Sequence, residues 1–309
     1  MMLRHSTRKG TRMKKLLEQS LIANAASLGY HWIYDAEYLE TKAKQGSLLF
    51  GTPNPEDYLK AKEAYFAYPS ATLGDVSVQG SMMLWLYHGL QENPSLTVED
   101  YHELLYDHFK PGGAYQGYVE SYAQRWLAQK LATENEQAHF PSPINDDHLV
   151  GFMPYLVTKA LGLGLDLAWQ FAQTFTQDKH YLAYYQMFEF YFDLVSSKTH
   201  KEAIKEALSQ VPSEHRAVFE AALEMKETEA FVSLYHLRTC AYAQALPIII
   251  HLAYHATSLE EALEKNMTIG GNLCDRATYL CALLTPVFPM PHAWKDKVQL
   301  NFMKKGPTR

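Results

Sequence analysis

Cysteine is scarce: three in 309 residues, Cys240, Cys274 and Cys281. An odd number at irregular spacing excludes a disulfide framework, and the lack of a Cys-x-x-Cys pair speaks against a structural zinc. Free thiols fit a reducing compartment, and a cytoplasmic protein is expected. No run reaches the ~18 apolar residues of a membrane span. No stretch alternates apolar and polar residues as a half-buried strand does. A glycine-rich phosphate loop of the Walker or Rossmann kind is missing, as are solenoid repeats and a low-complexity linker. Positive charge is also in deficit: 28 Lys and Arg against 34 Asp and Glu give a net charge of −6, which argues against a nucleic-acid surface.

What remains is helical periodicity almost throughout. Leu17, Leu21, Ala25 and Leu28 share one face and stop at Gly29. A helix is expected to start near Asp75, with Val78, Met82, Trp85, Leu86 and Leu90 on one side. Further helices are expected from Thr97 through Phe109, Tyr115 to Leu131, Asp147 to Leu161, Leu165 to Phe175, and Tyr181 to Val195. Thr199 with Glu202 and Ser258 with Glu261 fit capping boxes, and Ser213 reads as a simple N-cap. Thr239 to Ala256 is apolar with Pro247 inside it, which predicts a kinked helix. The aromatic content, 13% with 21 Tyr, suits a core whose rings keep one polar end and can also line a pocket. The expectation is one all-α domain over 13–309, preceded by a basic stretch, 1–12, that is a tail or lies upstream of a start at Met13.

Two short segments almost 200 residues apart carry the chemistry. Gly74-Asp75-Val76-Ser77 and Gly270-Gly271-Asn272-Leu273-Cys274-Asp275 each place an acid beside a helix start, where unpaired N–H groups face outward. With Ala25-Ala26-Ser27-Leu28-Gly29-Tyr30-His31-Trp32-Ile33-Tyr34-Asp35 near the start, Cys240 to Pro247, and Pro291-His292-Ala293-Trp294 near the end, the order resembles the ADP-ribosylglycohydrolase family. That resemblance implies a compact orthogonal helical bundle around a cleft with two magnesium ions. It also implies hydrolysis of the N- or O-glycosidic bond of a small-molecule or protein-linked ADP-ribosyl compound. Hard oxygen ligands would hold the ions, and a carboxylate would take a proton from water.

The chain departs from that pattern at the expected ligands. Gly74 and Val76 flank Asp75 where the family has further acids, Asn272 and Cys274 replace acids, and Asp275 is one step out of register. Two Mg²⁺ ions would lack offsetting charge, so one ion or none is expected. Asp75 and Asp275 are the candidate catalytic carboxylates. Asp75, Asp146, Asp147, Asn272 and Asp275 are the candidate metal ligands. His31, Asp35, Gly113, Tyr115, His148 and Cys274 are the candidate substrate contacts. Each has a plainer reading: Asn145 or Asp146 as a helix cap, His31 and Asp35 as a hydrogen-bonded turn, Gly113 as a helix entry. His251 and His255 have the four-residue spacing of a zinc pair, but Leu252 stands where a zinc hydrolase needs glutamate. Two functions stay open: a hydrolase with an altered site, and a silent relative that binds a nucleotide sugar or, as in the lens crystallins of similar fold, serves a structural role.

Overall fold

An amphipathic stripe hides best against other helices, and the strand-free sequence leaves no other partner. A computed structural model describes residues 15–134 and 143–298. Among these residues there is no strand, only two isolated bridges, Ile33 with Ala64 and His148 with Ala241. The all-α expectation is met. The 1–12 stretch and most of the proline-containing segment near 133–145 lie outside the described residues.

Helix α1 spans 15–26. It is followed by α2 (Ala36–Ala43), α3 (Pro55–Lys60), α4 (Val78–Glu92), α5 (Val98–Phe109), α6 (Ser121–Glu134), α7 (Met153–Leu161) and α8 (Leu165–Ala172). Then come α9 (His180–Leu194), α10 (His200–Ala207), α11 (Arg216–Glu224), α12 (Thr228–Leu234), α13 (Tyr242–His255), α14 (Leu259–Ile269), α15 (Leu273–Leu284) and α16 (His292–Lys297). Every residue of α15 is buried, so it is the axis of the molecule, packed by α13 and α14. One apolar core runs from Leu16 to Val298. No described helix is long and apolar enough to cross a membrane.

Several boundaries differ from expectation, each for a local reason. Ser77, not Asp75, caps α4: its Oγ accepts from Gly80 N–H. Asp75 sits before the helix in a turn where its carboxylate accepts from the N–H and hydroxyl of Thr72, at 2.7 and 3.0 Å. Helix α6 begins only at Ser121, because 113–115 donate their N–H groups back to carbonyls at the end of α5 and beyond. The expected 147–161 helix opens as a 3-10 turn, Leu149–Phe152, before α7. Thr97 with Asp100 and Thr199 with Glu202 form complete capping boxes. Ser258 caps α14, but the Glu261 carboxylate reaches Thr257 instead of closing the box. Ser213 does not cap a helix; α11 starts three residues later behind His215. Pro247 lies inside α13.

Three distant segments are joined by one buried side chain. Asn24 of α1 accepts from Ser77 N–H at 2.8 Å and donates to Ser77 Oγ at 3.0 Å and to Thr278 Oγ1 at 3.1 Å. Removing it strands a buried N–H and takes one bond from each of two hydroxyls, each loss costing about 1 kcal/mol. Asn24→Leu is therefore expected to lower unfolding stability by roughly 3 kcal/mol, read as a shift in the urea midpoint with the slope unchanged.

Candidate functional site

The His-Trp segment and the glycine pair are clasped together. Trp32 N–H donates to Gly271 O at 2.9 Å, and Gly271 N–H donates to Ile33 O at 2.7 Å. Gly270 and Gly271 have φ of +81° and +76°. A Cβ there would stand 2.6 Å from Ile33 O or 2.7 Å from Arg238 O, so only glycine admits both the turn and the close approach. Trp32 itself has φ +65°, a strained conformation for a bulky side chain. The clasp aims the start of α15 at the interior.

That start is buried and polar. Cys274 N–H donates to His31 Nδ1 at 3.1 Å, which puts the imidazole proton on Nε2, where it has no partner. Burial, reinforced by the nearby Arg276 charge, pushes His31 down to about 3. His31 is fully buried and stacked on Trp32, so it is an internal acceptor for the helix and not an exposed substrate contact. Cys274 is buried and its thiol is pushed well up by burial and the adjoining Asp275, the opposite of what a nucleophile needs. Arg276 is fully buried, with Nε on Asn266 Oδ1 at 2.9 Å and Nη2 on Gly270 O.

Asp275 is 1% exposed, and neither carboxylate oxygen has a hydrogen-bond partner; the same holds for Asn272 Oδ1. Burial pushes Asp275 up to about 7, although Asn272, Ser77 and Arg276 lie near enough to favour the ionised form. Its neighbour across the interior is Glu120, which the sequence reading missed. Glu120 is 4% exposed and accepts from Tyr68 OH at 3.3 Å. Burial first, and then the charge of Asp275, holds it well above the ordinary carboxylate range. Tyr68 OH in turn accepts from Val78 N–H at 3.1 Å. A lone glutamate before a helix carries no motif, so only the fold reveals it.

Asp75 is not in this chamber. It is exposed and lines a surface cleft of about 510 Å³ between residues 67–76 and 114–118. Tyr68, Tyr115 and Tyr118 face the same cleft, with Tyr68 and Tyr118 rings 6.0 Å apart. Tyr68 thus touches the cleft with its ring and the buried Glu120 with its hydroxyl. Gly113 is buried instead against the carbonyls of Asp107 and His108 at the end of α5. Asp35 caps α2, accepting from Tyr38 N–H at 3.0 Å and from Lys62 N–H at 2.8 Å, the plainer of its two readings.

Asp146, Asp147 and His148 hold candidate ligand atoms within 4.8 Å of one another, and the Asp146 charge acts on the buried Glu120. The Asp146 carboxylate is already engaged by Arg125 and by His148 N–H. Asp147 is exposed. His251 is a core histidine: Nδ1–H donates to Ala222 O at 2.9 Å and Nε2 accepts from Thr228 Oγ1 at 3.0 Å.

Magnesium needs several hard oxygens converging on an octahedron. Among the described residues, no other His, Cys, Asp or Glu trio gathers as closely as Asp146–Asp147–His148. Asp75 and Asp275 occupy different levels, surface and interior. Asn272 Oδ1 and both Asp275 carboxylate oxygens are left unpartnered, as acceptors open to a cation. Neither a family model nor a curated protein matches the chain.

The two buried groups make opposite pH predictions. His31 is depressed from 6.5 to about 3, so its contribution is whole above the unfolded value and is lost as pH falls toward 3. His31→Gln should flatten the fall in urea midpoint on that acidic side. Asp275 is raised from 3.8 to about 7, so its contribution is present below 3.8 and lost as pH rises through about 7. Asp275→Asn should be more stable than the parent at pH ~8, by roughly 4 kcal/mol, with the difference gone near pH 4.

Proposed function

We propose that this chain is a divergent ADP-ribosylglycohydrolase-like protein that binds a ribosyl compound in the tyrosine-lined cleft beside Asp75, without a dinuclear magnesium centre. The observation that carries this reading is the separation of Asp75 in the open cleft from the buried Asp275–Glu120 pair. A carboxylate flanked by tyrosine faces suits a sugar ring: it accepts from vicinal hydroxyls while the rings cover the apolar face of the sugar or base. The silent, binding-only alternative is favoured over hydrolysis because the buried acids Asp275 and Glu120 lie behind Tyr68, out of reach of a ligand in the cleft.

A hydrolytic reading keeps one supporting observation. Beneath the cleft floor, burial and the nearby charge of Asp275 push the Glu120 carboxyl above the ordinary carboxylate range, the direction required of a general acid toward a leaving glycosidic atom. It requires Tyr68 to swing aside.

Thermal unfolding with ribosyl ligands, with and without Mg²⁺, tests the proposal. A ligand at 100-fold over its Kd stabilises by ~2.7 kcal/mol. The expected outcome is an upward shift that is the same with and without Mg²⁺ and lost in Tyr115→Ala. A shift that appears only with Mg²⁺ would overturn it. Release of ribose or ADP-ribose from an N- or O-ribosyl substrate, abolished in Glu120→Gln, would establish the hydrolytic reading instead.

A further inference from the structure

The cleft lacks the basic side chains that bind phosphate. None of its lining residues is Lys, Arg or His, and its one charged side chain is Asp75. Diphosphate recognition usually rests on Arg or Lys, on a helix N-terminus, or on a nest of free backbone N–H groups. The helix that starts beside the cleft is α4, and three of the N–H groups at its start are taken internally: Ser77 by Asn24 Oδ1, Val78 by Tyr68 OH and Gly80 by Ser77 Oγ. On the opposite wall the N–H groups of Gly113, Ala114 and Tyr115 donate to Lys110 O, Asp107 O and His108 O. On the near wall Ala71 N–H donates to Tyr68 O and Thr72 N–H to the Asp75 carboxylate. Lys110, the basic residue nearest in sequence to the 114–118 wall, is paired with Asp107 at 2.6 Å.

The remaining features favour an uncharged ring. Tyr68, Tyr115 and Tyr118 offer aromatic surface, Ser70, Ser81 and Gln116 offer polar atoms, and Asp75 offers an acceptor for hydroxyls. We propose that the cleft selects a phosphate-free ribosyl compound, of the nucleoside class, over the same compound carrying a phosphate or diphosphate. This rests on the ribosyl-binding reading and narrows it. The selection is electrostatic: a phosphate in the cleft meets Asp75 with no cation to offset the repulsion.

Calorimetric titration of the full chain with adenosine, adenosine monophosphate and ADP-ribose tests it. Adenosine should bind at least about tenfold more tightly than either phosphorylated probe, a gap that narrows in high salt. Asp75→Asn should narrow the gap by improving the phosphorylated probes. Ser70→Lys, which adds a cation at an exposed position on the cleft wall, should do the same without touching the core. ADP-ribose binding as tightly as adenosine, or more so, would overturn the selection while leaving the ribosyl reading intact. No binding of any probe to a chain that unfolds cooperatively would overturn both. Equal affinities for all probes in the parent and in Ser70→Lys would likewise overturn the selection.

Discussion

Asn24 is the buried polar side chain that ties α1 to α4 and α15. It is 1% exposed and uses both ends of its amide, taking the Ser77 N–H and giving to two hydroxyls. The chain of bonds continues from there. Thr278 Oγ1 donates to Cys274 O at 2.9 Å, and Cys274 N–H donates to His31 Nδ1. One network thus links α1, the cap of α4, the first turn of α15 and the loop after α1. In a low-dielectric interior such a network is stabilising only when its members are satisfied. No aspartate or leucine could replace Asn24, because one lacks the donor and the other lacks both partners.

That network changes the meaning of the motif residues. Ser77, Cys274, Thr278 and His31 fall in the segments whose order resembles a metal-dependent hydrolase, yet here they bond to one another. What is left without partners sits just beyond: Asn272 Oδ1, both Asp275 oxygens, the Arg276 Nη1 and the Gln79 amide nitrogen. Buried polar atoms left unmade are costly, and burial answers that cost by holding Asp275 and Glu120 toward their neutral forms. The substitutions at 272 and 274 take charged hard oxygens out of the expected ligand set.

The periodicity and capping signals made the helical class and most helix positions readable, because local sequence decides both. Thr97 with Asp100 and Thr199 with Glu202 are cases where four consecutive residues contain the whole answer. The boundaries that slipped are those decided at a distance. Asp75 looked like a helix start, but Asn24, 53 residues from Ser77, recruits Ser77 for that role. The 115–120 stretch looked helical, but Gly113, Ala114 and Tyr115 are drawn back onto α5. At the site, the glycine pair and the clustering of His31 with Cys274 were legible as motifs. Glu120 was not: its role comes from the depth at which α6 begins, and no spacing in the chain encodes that depth.

The aromatic layer decides how cleft and chamber relate. Trp32 holds its left-handed backbone because its N–H and its ring are both committed, the first to Gly271, the second to Tyr65, Tyr118 and His31. Tyr68 lies in the same layer, and its hydroxyl is fixed from both sides by Val78 N–H and Glu120. Opening the layer to a ligand would require breaking both bonds and exposing two buried carboxyls, so it acts as a floor. A ligand in the cleft therefore meets tyrosine faces and Asp75, whereas the acids beneath contribute through the rigidity they give that floor.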